Sequence, residues 1–129
     1  MKSITYYFSP ITYSECKNMS KEIKSIKDFE GNTRFRGLTV IHFWAEWDVY
    51  DITVGKILSE LEPEFKDKVN FCSVDVDQEH LIEFLRELPI INVPTLGYYK
   101  NGKKNSLEIG LSKKEDLKKK IAILLNNEE

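Results

Sequence analysis

Residues Leu38 to Asp51 read LTVIHFWAEWDVYD, and the reading of this stretch decides the fold. Thr39 to Phe43 form an apolar, β-branched run of the kind that makes a buried central strand. Trp44, Ala45, Glu46 and Trp47 lead off that strand, and Asp48 opens a helix. The apolar residues that follow, Val54, Ile57, Leu58, Leu61 and Phe65, recur at helical spacing and define one buried face. The stretch is therefore a strand, a short tryptophan-bearing corner and a helix.

Around this centre the chain alternates strands and helices. Residues 23–26 read as an edge strand, followed by a helical turn through Phe29, with Gly31, Asn32 and Gly37 marking loops. Pro63 falls in the last turns of the main helix, where it removes a hydrogen bond and ends or kinks it. Residues 69–77 (VNFCSVDVD) are spaced as a second central strand, and residues 79–88 as a helix with Leu81, Phe84, Leu85 and Leu88 on one face. Residues 96–100 form a strand, Asn101-Gly102 a two-residue hairpin turn, and residues 103–109 the return strand. Ser112, with Glu115 three residues on, is spaced as a capping box for a last helix whose apolar face is Leu117, Ile121, Leu124 and Leu125. The order β-α-β-α-β-α-β-β-α needs parallel crossovers at its start and an antiparallel edge at its end. It predicts an α/β fold with a mixed central sheet flanked by helices on both faces.

Composition bounds the rest. The 129 residues, 41% hydrophobic, suit one domain with a single core. We divide them into an N-terminal extension (1–22), the domain (23–126) and a tail (127–129). In the extension Ile4, Tyr6 and Phe8 alternate as a strand stopped by Pro10, and Ser14 caps a short helix. The segment reads as a packed arm or tail, or as a docking segment for a partner. A formal net charge of −2 gives no electrostatic case for a nucleic-acid partner. No apolar run approaches the ~20 residues of a membrane helix. The opening MKSITYYFSPITYSE makes a poor signal peptide, so a cytoplasmic protein is expected. Cys16 and Cys72 are the two cysteines and do not make a secreted disulfide framework.

Phe43-Trp44-Ala45-Glu46-Trp47 followed by Asp48-Val49-Tyr50-Asp51 resembles the FWAxWCxxC segment of thioredoxins, with aspartate at both cysteine positions. The resemblance covers roughly residues 23 to 126 and implies the thioredoxin fold. Val93-Pro94-Thr95 matches the family's cis-proline segment, whose backbone pairs with substrate peptide in active members. Trp47, Val93, Pro94 and Gly110 match positions lining the peptide groove, and Tyr50 and Ile91 add apolar surface beside them. Within the family, HFWAEW before a broken CxxC looks like the thioredoxin domain of multidomain monothiol glutaredoxins. Trp47-Asp48 is also similar to the small spliceosomal thioredoxin-like protein, which lacks the cis-proline segment.

A carboxylate cannot attack a disulfide, so Asp48 and Asp51 exclude thiol–disulfide exchange at these two positions. Both read as helix-start residues, Asp48 as a cap and Asp51 as a charge near the positive helix end. A metal or acid/base pair is the alternative, and it has no neighbouring histidine or third ligand in the sequence. His42, where active members often carry a buried aspartate, reads as a hydrogen-bonded core histidine facing Ser73. Cys72 reads as a buried small hydrophobe, and Cys16, beside Lys17, as the more reactive thiol. His80 reads as a surface residue, and Lys113, Lys114, Lys118, Lys119 and Lys120 as a solvated helix face.

The expectation is a non-catalytic binding or scaffold module, not an enzyme, that holds a protein or peptide at Trp47, Tyr50, Ile91, Val93, Pro94 and Gly110 without metal or cofactor. Two alternatives stand beside it. One is a thiol-redox protein using Cys16 or Cys72, and the other is a docking subunit of a larger assembly.

Overall fold

The structure, a computed structural model, describes residues 21–65, 67–88 and 92–126. The readings made on residues 1–20, including Cys16, and on Ile91 lie outside them. The elements in order are β1 (Lys21–Glu22), α1 (Ile26–Thr33), β2 (Leu38–Trp44), α2 (Val49–Leu61), β3 (Val69–Asp75), α3 (Ile82–Arg86), β4 (Thr95–Lys100), β5 (Lys103–Ile109) and α4 (Lys114–Asn126). Short 3-10 turns at Glu62–Phe65 and Glu79–Leu81 follow α2 and precede α3.

The strands form one sheet in the order β1-β3-β2-β4-β5. β1 and β2 run parallel to β3, while β4 is antiparallel to both β2 and β5. This is the mixed sheet that the element order predicts. β2 lies at its centre, buried along its whole length. The two-residue alternation of β2 divides the core. Leu38 and Val40 face α2 and α4, packing with Val54, Leu58, Leu61, Leu117 and Ile121. Ile41 and Phe43 face the other side, packing with Phe29, Val74, Leu81, Leu85 and Tyr99. Phe29 sets its ring edge-on to Phe84 and Tyr99, with centroids 5.0 and 5.7 Å away.

The predicted elements shift where local hydrogen bonding competes. The first strand is at Lys21–Glu22, not 23–26, because Ser25 starts a helix. Its Oγ accepts from the Asp28 N–H at 3.0 Å, and Asp28 Oδ2 accepts from the Lys24 N–H at 3.1 Å. The helix expected over 79–88 is a 3-10 turn followed by five α-helical residues. Pro89 explains the early stop, since a proline disfavours helical geometry in the residue before it. Pro63 lies in the 3-10 turn that closes α2, as its missing N–H requires. The hairpin forms as read, with Lys100 opposite Lys103 and positive φ at Asn101 (52°) and Gly102 (87°). The last helix begins at Lys114, one residue later than the capping-box spacing implies.

Candidate functional site

The site lies where β2 and β3 end and α2 begins. Asp48 caps α2 as expected, its Oδ1 accepting from the Tyr50 N–H at 3.0 Å. Asp51 corrects the sequence reading. The spacing 51, 54, 58, 61 places it on the apolar stripe of α2, and it is 1% exposed. His42 follows Leu38 and Val40 on the same face of β2 and is 3% exposed. The two meet: His42 Nε2 donates to Asp51 Oδ1 at 2.8 Å, while Asp51 Oδ2 accepts from the Ala45 N–H at 3.0 Å. One carboxylate thus joins the central strand, the corner and the helix start. The histidine judged absent from the neighbourhood is present, but Asp48 is turned to its own helix and completes no acid/base pair. Ser73 is the register partner of His42, and its buried Oγ has no hydrogen-bond partner among the described residues.

Trp47 stands out from this anchored corner, 69% exposed, with its Nε1 donating to Asp77 Oδ2 at 3.0 Å. Val49 and Tyr50 are exposed beside it on the first turn of α2. The Val93–Pro94 peptide bond is cis. Pro94 is buried, and its carbonyl accepts from the Gly110 N–H at 2.9 Å. Trp47 and Val93 line one groove of about 360 Å³ together with Val76, Ile82, Leu85, Arg86 and Asn92. Of the residues picked from the sequence, the structure brings Trp47 and Val93 into the groove. It sets Pro94 beneath the site with Gly110 hydrogen-bonded to it, and it leaves Tyr50 exposed on the adjoining turn. The contribution of α3 through Ile82, Leu85 and Arg86 was missed. Its signal was the apolar face of residues 79–88, which reads as ordinary core.

Cys72 is buried as predicted, with Sγ 3.4 Å from Asn32 Oδ1, and burial pushes its thiol up to about 12. His80 is exposed and contacts the Lys24 carbonyl through Nε2 at 2.6 Å. The basic face of α4 is paired in part, Lys118 with Glu64 at 2.7 Å and Lys114 with Glu60 at 3.4 Å. Among the described residues, no three His, Cys, Asp or Glu side chains are grouped to hold a metal ion. Among the same residues, no helix is long and apolar enough to cross a membrane.

The family model for thioredoxin matches residues 20–123. The chain belongs to the thioredoxin family. It is 32% identical over 78 residues to the thioredoxin of Rickettsia felis, covering 60% of this chain and 72% of that one. It is 33% identical over 89 residues to the thioredoxin of Malassezia sympodialis, covering 68% and 83%. The crystal structure of a Malassezia sympodialis thioredoxin superposes with a TM-score of 0.71 at 29% identity, covering 81% of this chain and 90% of that one. The thioredoxin fold is therefore shown. The expectation of a non-catalytic module that is not an enzyme is overturned, because these relatives are thioredoxins and the family points to a thiol-redox protein. That reading rests on Asp48 and Asp51 combined with the retained groove. The two aspartates exclude thiol chemistry at their own positions and leave open whether another thiol of the chain performs it.

Proposed function

We propose that this chain is a thiol-redox protein, a thioredoxin-family oxidoreductase acting on protein disulfides through one thiol. Membership of the thioredoxin family across residues 20–123 carries the reading. Cys16 is the working thiol in this proposal, because positions 48 and 51 hold carboxylates and the Cys72 thiol is buried and raised to about 12.

The Cys16 thiolate attacks one sulfur of a substrate disulfide. A mixed disulfide forms, and the other substrate sulfur leaves as a thiolate that takes up a proton. A small-molecule thiol of the glutathione class then attacks the Cys16 sulfur. The first substrate sulfur leaves as a thiolate that takes up a proton. A second small thiol attacks the small-thiol sulfur now joined to Cys16, and a small-molecule disulfide departs as Cys16 returns to its reduced form. The exposed face at Trp47, Tyr50, Val93 and Gly110 is where the substrate polypeptide rests. A reducing compartment such as the cytoplasm suits a protein that works through a free thiol.

The test is reduction of a glutathione mixed disulfide, coupled to glutathione, glutathione reductase and NADPH, for the full chain and for Cys16→Ser and Cys72→Ala. Turnover above the uncatalysed rate is expected, lost in Cys16→Ser and kept in Cys72→Ala. A rate no faster than glutathione alone, or one unchanged by Cys16→Ser, overturns the proposal.

A further inference from the structure

We propose that the groove beside Trp47 selects an extended polypeptide segment carrying a bulky apolar side chain with lysine or arginine next to it. The inference rests on reading this face as the substrate face, and it adds the chemistry of the occupant.

The groove supplies the apolar half. Its walls are Trp47 on the corner, Val76 after β3, Val93 beside the cis bond, and Ile82 and Leu85 of α3. Leu85 is buried, so the floor reaches the core, and about 360 Å³ holds one large aliphatic or aromatic side chain.

Carboxylates reached through Trp47 supply the charged half. Register sets Glu22 beside Ser73 and Trp44 beside Asp75, so β1, β2 and β3 end at the same edge of the sheet, with Glu46 just beyond. Asp77 Oδ2 holds the indole of Trp47, and the Asp77 N–H donates to Asp75 Oδ1 at 2.9 Å. Burial raises the Asp75 carboxyl above its usual range, the bond from the Asp77 N–H works against that, and the charges of Asp77, Glu46 and Glu22 add to the rise. The groove's own cation, Arg86, pairs with Glu83 at 3.3 Å. A basic side chain entering beside Trp47 therefore relieves mutual repulsion among Asp75, Asp77 and Glu46, while an acidic one adds to it.

The test uses cysteine-free synthetic peptides of about ten residues, each with a central phenylalanine flanked by Lys, Gln or Glu and titrated by fluorescence anisotropy. The Lys peptide is expected to bind about tenfold tighter than the Glu peptide, with the preference shrinking between about 50 and 500 mM salt. Glu46→Gln with Asp75→Asn reduces the preference to about threefold or less, because both amides keep the local shape. Equal binding of all three peptides, lost in Trp47→Ala, keeps the groove as the substrate face but overturns the charge selection. Preference for the Glu peptide overturns it as well. Binding of no peptide removes both the groove and its selectivity. Turnover by Cys16 is read in a separate assay, so its failure is distinguishable from any of these outcomes.

Discussion

Replacing Asp51 with alanine removes the one carboxylate that joins β2, the corner and α2. Two hydrogen bonds go with it, the 2.8 Å bond from His42 and the 3.0 Å bond from the Ala45 N–H. Both donors stay in a site whose side chains are 1–3% exposed. Breaking one side of a buried pair typically costs about 3–5 kcal/mol, because the remaining polar group is stranded. His42→Ala leaves the carboxylate with the Ala45 bond alone and carries a similar cost. Removing both partners, as His42→Ala with Asp51→Ala, strands only the Ala45 N–H. The double variant should therefore lose less than the sum of the singles, with a coupling of about 2 kcal/mol or more. Urea unfolding followed by far-UV circular dichroism measures each variant at a common slope. Asp51→Asn, which preserves shape and one acceptor, provides a milder member of the series if a truncation fails to fold. Hydrogen exchange at the Ala45 amide gives a second readout and should quicken in Asp51→Ala. Single losses below about 1 kcal/mol, or additivity within about 0.5 kcal/mol, would refute the reasoning.

Three further predictions concern Cys72 and Asp48. Because the Cys72 thiol is raised to about 12 in the folded chain and ionises near 8.5–9 when unfolded, the folded state holds its proton longer. Its contribution is complete below pH ~8.5 and is lost as pH rises towards about 12, by up to ~4 kcal/mol, so Cys72→Ala should flatten the alkaline fall of stability in urea titrations. The same burial should leave Cys72 unalkylated by iodoacetamide at pH 8 until the chain unfolds, as read by mass spectrometry. Asp48→Ala, which removes the cap on the Tyr50 N–H, should cost about 1 kcal/mol, and Asp48→Ser should recover most of it in the same unfolding assay.

The sequence made the framework legible because its strongest signals are local. The apolar run of β2, the spacing of Val54, Leu58 and Leu61, and the Asn101-Gly102 turn each specify one conformation regardless of what packs against them. The same locality displaced β1 and shortened α3. The Ser25–Asp28 capping pair withdraws Ile26 from the strand, and Pro89 truncates the helix that the apolar spacing of residues 79–88 promises. Both breakers stood in the sequence, and each was outweighed by a hydrophobic pattern that fits equally well a residue or two away.

The site was harder to read because its central contact joins two elements. Asp51 is in phase with a buried helical stripe, and His42 is in phase with Leu38 and Val40 on the strand beneath it. Each alone reads as an ordinary exception, a charge at a helix start and a polar residue in a core. Only the packing of α2 on β2 makes them satisfy one another. Two polar residues that each violate a buried stripe, on elements joined by a four-residue corner, are best explained by each other, since either alone would be a stranded polar group. The contrast with the function follows from the same logic. Replacing a reactive residue removes chemistry from that atom, and Asp48 and Asp51 establish no more than this. They became a cap and a core link, so the fold kept its corner, its groove and its family while the thiol question passed to Cys16.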